Sequence, residues 1–95
     1  MEVIIKERAQ VSIRKIALYI FKKGYPDTAI KFAKRLENFA LSLADFPDKH
    51  PICRQKSYAK RKYHCVPFES NYIFIYKLVD NKLIVLNVVQ AARIR

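Results

Sequence analysis

Tyr72-Ile73-Phe74-Ile75-Tyr76-Lys77-Leu78, followed after Val79-Asp80-Asn81 by Lys82-Leu83-Ile84-Val85-Leu86-Asn87-Val88-Val89, is the stretch that decides the architecture of this chain. Both runs are rich in β-branched and aromatic residues, which suit a pleated surface, and the break between them is short enough for an antiparallel hairpin. A third run, Tyr63 to Phe68, precedes them across Glu69-Ser70-Asn71, so the last third of the chain predicts a three-stranded meander. Pro67 has no N–H to give a ladder, which predicts an edge or bulge position for it.

A meander needs a layer to cover it, and the first half of the chain supplies one. Val3-Ile4-Ile5 is a β-branched run too short for a helix and reads as a first strand. From Glu7 to Lys23, the residues Ile13, Ile16, Ala17, Ile20 and Phe21 recur at helical spacing, with Gln10, Arg14, Lys15, Lys22 and Lys23 opposite. Gly24 suits the left-handed residue that ends a helix, and Pro26-Asp27 suits the first turn of another. The second helix carries Phe32, Ala33, Leu36, Phe39, Ala40 and Leu43 on one stripe and ends before Pro47. The fold class expected is therefore α+β in the order β-α-α-β-β-β. An antiparallel helix hairpin packs on one face of a mainly antiparallel sheet, burying Ile16, Ile20, Phe32, Leu36, Phe39 and Leu43.

Between Phe46 and Tyr63 the pattern predicts a loop. It holds the basic run Arg54-Gln55-Lys56-Ser57-Tyr58-Ala59-Lys60-Arg61-Lys62, and no acid occurs from Lys49 to Phe68. The whole chain repeats that bias: 19 Lys and Arg against 8 Asp and Glu give a formal charge of +11 over 95 residues. Such an excess attracts polyanions over a Debye length of roughly 8 Å, so nucleic acid, ribosome or an acidic protein is the expected class of partner.

Composition excludes other classes. The chain has one glycine, which removes glycine-rich phosphate loops and with them nucleotide-cofactor chemistry; no cofactor is expected. No apolar run approaches the ~20 residues of a membrane span, and the N-terminus has no secretory pattern, so a cytoplasmic protein without membrane contact is expected. Cys53 and Cys65 could form a disulfide arithmetically, but reduced thiols are the expectation for that compartment. His50, Cys53, His64 and Cys65 do not make a zinc set, because His64 and Cys65 are strand neighbours pointing to opposite faces, and no metal site is expected. Cys53 beside Arg54 has no recognisable paired base and is not read as a nucleophile.

The order strand, helix pair, basic loop and meander over residues 1–95 resembles the RelE/ParE superfamily of toxins from type II toxin–antitoxin systems. The residues that carry it are Ile13-Arg14-Lys15-Ile16-Ala17-Leu18-Tyr19-Ile20, Pro26-Asp27-Thr28-Ala29-Ile30-Lys31-Phe32 and Leu43-Ala44-Asp45-Phe46-Pro47. With them go Asn71-Tyr72-Ile73-Phe74-Ile75-Tyr76, Leu83-Ile84-Val85-Leu86-Asn87-Val88-Val89 and Arg93. The resemblance implies a single toxin domain neutralised by a cognate acidic antitoxin. It also implies a target that differs by branch: messenger RNA on the ribosome, cut by RelE-like members, or DNA gyrase, bound by ParE-like members. A homodimer is compatible with either branch, and a degenerate relative would bind antitoxin without harming the cell.

RelE-like cleavage would draw on Lys60, Arg61, His64 and Arg93 to stabilise phosphate charge and move protons. Two departures favour the ParE-like branch, or a degenerate relative, over the ribonuclease. Ile73 stands where the resemblance wants an arginine, and Gln90 stands where many relatives have histidine; an amide relays no proton near neutral pH. The target-binding residues expected are then Arg54, Lys56, Lys60, Arg61, Lys62 and Arg93. Lys56, Lys60, Arg61 and Arg93 are expected to converge on the sheet face that the helices leave uncovered. Beside these readings stand plainer ones: a solvated basic loop, Tyr58 and Tyr63 as packing residues, and His64 as a packed histidine.

Overall fold

Glu2–Ile5 forms strand β1, and the chain turns directly into helix α1, Glu7–Lys22, with Glu7 against the positive end of the helix dipole. The computed structural model describes residues 1–93, without the side chain of Arg93. Helix α1 stops at Gly24, whose φ of 98° is open to glycine at no steric cost. There Gly24 N–H bonds the Phe21 carbonyl at 3.0 Å and Tyr25 N–H bonds that of Ile20 at 3.4 Å, the paired closure of a Schellman motif. Pro26 then opens helix α2, Pro26–Ser42, which runs into a 3₁₀ turn at Leu43–Asp45.

Strands β2 (His64–Phe68), β3 (Tyr72–Val79) and β4 (Lys82–Gln90) form the meander, and a 3₁₀ turn at Ala91–Arg93 follows. Asp80 and Asn81, with φ of 50° and 60°, make the two-residue turn between β3 and β4, the residue types that tolerate left-handed backbone. Strand order is β1-β4-β3-β2, with β1 parallel to β4 and the other pairs antiparallel. Pro67 lies in β2, an edge strand.

The bulge lies elsewhere, in β4. Tyr76 pairs with Val85 but Ile75 pairs with Asn87, so Leu86 is an extra residue. That insertion resets the alternation of β4: Leu83 and Val85 before it and Val88 after it all join one core. The core is completed by Phe74, Tyr76 and Val66 from the sheet and by Ala9, Ile13, Leu36, Ala40 and Leu43 from above. Phe39 packs edge-on to Phe74, with ring centroids 5.1 Å apart.

The helix stripes are shallower than their periodicity suggested. Leu36 and Leu43 are buried, whereas Ile16, Ile20, Phe32 and Phe39 are half-buried, because alanines 9 and 40 take the deep positions and the larger side chains spread to the rim. Phe32 and Phe39 lie there against Phe68 and Tyr72 of the β2–β3 hairpin. Phe21, read as part of the buried stripe, is 54% exposed.

The segment expected to be an irregular loop holds a short helix, α3, Lys56–Lys60, and it closes as α1 does. Lys62 N–H bonds Ala59 O and Tyr63 N–H bonds Tyr58 O, both at 3.0 Å, with the two tyrosine rings 5.9 Å apart. Here the left-handed residue is Lys62, at φ 58°, a conformation that costs a non-glycine residue about 1–2 kcal/mol.

Three ties hold this segment to the sheet. Tyr76 donates its hydroxyl to the Pro47 carbonyl at 2.7 Å. His64 Nδ1 lies 2.7 Å from the His50 carbonyl, an acceptor, so Nδ1 carries the proton. Cys53 and Cys65 form a disulfide, where free thiols were expected. The reason is local: Cys53 N–H bonds Tyr63 O, Cys65 N–H bonds Pro51 O, and Ile52 bridges His64, which brings the two Cα atoms to 4.9 Å.

Replacing Leu36 by alanine is expected to cost about 2–5 kcal/mol through lost transfer energy and a residual cavity, read as a lower urea midpoint at unchanged slope. Burial, and then the Asp48 carboxylate, push the Tyr76 phenol up to about 12 from its ordinary 10. A raised folded-state value means that the stability this proton confers is complete below pH 10 and is lost as pH rises towards 12. Tyr76→Phe should cost about 1–2 kcal/mol near neutral pH and flatten that alkaline limb, as checked by urea titrations across the range.

Candidate functional site

Two surfaces are built by this fold, one on each side of the sheet. On the side away from the helices, Ile75 is only 2% exposed, because the 46–63 segment folds across it from its anchor at Cys65, the cross-strand neighbour of Ile75. Where that segment meets the start of α1 there is a cleft of about 360 Å³. Its floor is Ile75 and Leu86, one wall is Tyr58 and Tyr63, and Lys6, Arg8 and Arg61 stand round it with Glu7 as the lone acid.

Asn87 also lines this cleft, because the bulge turns it there. Its Oδ1 accepts the Ser12 hydroxyl at 2.6 Å and Val88 N–H at 2.8 Å, so the amide is held in one orientation. Among the described residues the one ion pair is Arg35 with Glu69, at the far hairpin, so the cations at the cleft are not neutralised by salt bridges. The cleft is thus a preformed place for an anionic group, with aromatic and apolar area beside it and fixed amide geometry.

Of the cations singled out in the sequence, Arg61 lines the cleft. Lys56 and Lys60, four apart on α3, are exposed outside it, as are Arg54 and Lys62. The side chain of Arg93 lies outside the described residues. Lys6 and Arg8 were missed; a strand followed at once by a helix start with two cations was the available signal. Ile73 pairs with Pro67, half-buried, on the same sheet face as Ile75.

His64 is on the other face. It pairs with Tyr76, its ring stacks on that phenol at 4.8 Å with 9° between planes, and its Nδ1 is taken by His50. Burial, then the charges of Lys49 and His64, hold His50 below its ordinary value. Cys53 and Cys65 are joined to each other, and no group of three or more His, Cys, Asp or Glu converges among the described residues.

The second surface lies on the outer side of the helix hairpin. Ala17, Ala29 and Ala33 let α1 and α2 approach closely, and Leu18, Phe21 and Ile30 flank the groove between them. These flanking residues are 50%, 54% and 68% exposed, and the groove, about 630 Å³, has Arg14, Lys31 and Lys34 on its rim against Glu37 alone. An apolar groove with a cationic rim suits an amphipathic segment with acids beside its anchors. No helix of the described residues is long and apolar enough to cross a membrane.

The fold is similar to that of a chain described as the chromosomal ParDE toxin–antitoxin system from P. aeruginosa, with a TM-score of 0.80 over 95% of each chain at 10% sequence identity. No curated protein matches in sequence. The family model for the ParE toxin of type II toxin–antitoxin systems, parDE, matches residues 3–95. A match over nearly the whole chain, on the strand, helix-hairpin and meander order described above, places this protein in the ParE toxin family of type II toxin–antitoxin systems.

Proposed function

We propose that this toxin acts by binding rather than by cutting: its basic α3 segment and the adjoining cleft engage an essential macromolecule of the cytoplasm such as DNA gyrase. The observation that carries this reading is the separation of Arg61 and His64 onto opposite faces of the sheet. A ribonuclease would need the imidazole within reach of the phosphate that the cations hold. Here it is stacked on Tyr76 and bonded to a backbone carbonyl. The cations that remain, Arg54, Lys56, Lys60, Arg61 and Lys62, can attract and orient a partner without proton transfer.

Neutralisation is assigned to the other surface. An acidic antitoxin would seat apolar anchors between Leu18, Phe21 and Ile30 and lay its acids along Arg14, Lys31 and Lys34, while its remaining acids reach the basic segment. Affinity would rest on the anchors, and charge would set the rate of encounter, because rim ion pairs contribute little.

Two variant sets separate the surfaces. Lys60→Ala with Arg61→Ala should weaken gyrase binding by about tenfold or more and lower its salt dependence, with antitoxin affinity changed far less; His64→Gln should alter neither. Ile30→Asp, at a solvent-exposed position, should weaken antitoxin binding by about a hundredfold and leave the fold intact. Titration calorimetry at two salt concentrations reads both. Gyrase binding that survives the double variant but fails with His64→Gln would refute the assignment of surfaces.

A further inference from the structure

The Cys53–Cys65 disulfide encloses the whole basic element. Its ends are 12 residues apart, and every cation of the 54–62 run lies between them. Five positive charges in nine residues with no acid repel one another, so this segment has an electrostatic reason to leave the body of the protein. What opposes that at its base, apart from the disulfide, is a few hydrogen bonds and the cover over Ile75. The bonds are Cys53 N–H to Tyr63 O at 2.8 Å, Cys65 N–H to Pro51 O at 3.3 Å, His64 to His50 and, further back, Tyr76 to Pro47. The segment's own helix, α3, is one turn long and contains no fully buried residue.

We infer that this disulfide is a redox site that sets the order of the basic target-binding segment: oxidised, the segment is pinned over Ile75; reduced, it opens. The inference rests on the proposed function only for its biological meaning. A protein of a reducing compartment does not hold a disulfide at all times, and those that form there are commonly conditional. Cys65 is the less buried partner and Cys53 is 3% exposed, which directs an attacking thiolate to the Cys65 sulfur. A dithiol reductant forms a mixed disulfide with Cys65 and releases Cys53 as the thiolate, next to Arg54, which favours that charge. The reductant's second thiol then displaces Cys65, leaving two cysteine thiols and the oxidised, cyclised reductant.

Closure of a loop of this length limits the effect to about a hundredfold in the opening equilibrium. Local opening differs from global unfolding, because β3 and β4 keep their ladder and the helix-side core in either state.

The test uses the full chain in dithiothreitol redox buffers, with thiol alkylation and mass spectrometry reporting oxidation state and hydrogen exchange reporting order. Expected are a single transition in which both cysteines become alkylated together, and amide exchange across residues 54–63 that is about tenfold to a hundredfold faster in the reduced form. Exchange in β3 and β4 should not change. Cys53→Ser with Cys65→Ser should match the reduced form in every buffer; if that variant does not fold, the chemically reduced wild type carries the comparison. Absence of an oxidised species across the buffers, or equal exchange at 54–63 in both forms, would overturn the inference. Neither readout involves gyrase or antitoxin, so failure here leaves the proposed function to stand or fall on its own experiment.

Discussion

Strand β3 is buried on both faces, and the rest of the molecule is arranged to achieve that. Phe74 and Tyr76 are fully enclosed on the helix side, and Ile75 between them is 2% exposed on the other. An antiparallel sheet with one helical layer can leave its second face to water, and its strands then alternate apolar and polar residues. Tyr72-Ile73-Phe74-Ile75-Tyr76 does not alternate, so a second cover is required. Among the described residues it is the 46–63 segment that provides it, and that segment holds the basic run. Its attachment by Tyr76 to Pro47, His64 to His50 and Cys53 to Cys65 follows from that need. Packing and charge are therefore coupled at one place: the segment that completes the hydrophobic cover presents the cations.

The same coupling explains what could be read from the sequence. β-Branched and aromatic runs, period-3.6 stripes, Gly24 and Pro26 each report a local preference of the backbone, and these were sufficient for the element order and the helix hairpin. The bulge at Leu86 was not legible, because Ile84, Val85 and Leu86 are all apolar and a slip of one residue leaves no break in the pattern. Helix α3 buries no residue fully and so shows no stripe. The disulfide depends on a loop returning to a strand, which spacing along the chain does not encode.

The candidate surfaces were legible only as composition. The basic run announced itself, but which of its cations would face a cleft was set by the left-handed turn at Lys62, which places Arg61 beside Tyr63. Phe21 appeared to continue the core stripe, yet with Leu18 and Ile30 it belongs to an outward groove, and apolar residues left on the surface look the same in sequence as those of a core. His64 shows the reverse case: a chemically versatile residue whose two neighbours, Tyr76 and the His50 carbonyl, employ it in packing.

Whether the toxin binds or cuts is decided most directly in cells. The chain is induced without antitoxin, and the same cultures are assayed by primer extension on messenger RNA and by counting gyrase-linked DNA breaks. If the toxin binds, messages stay intact and breaks accumulate after induction. Ribosome-dependent cuts in messenger RNA, lost when Arg61 is replaced by alanine and accompanied by no rise in DNA breaks, would contradict it.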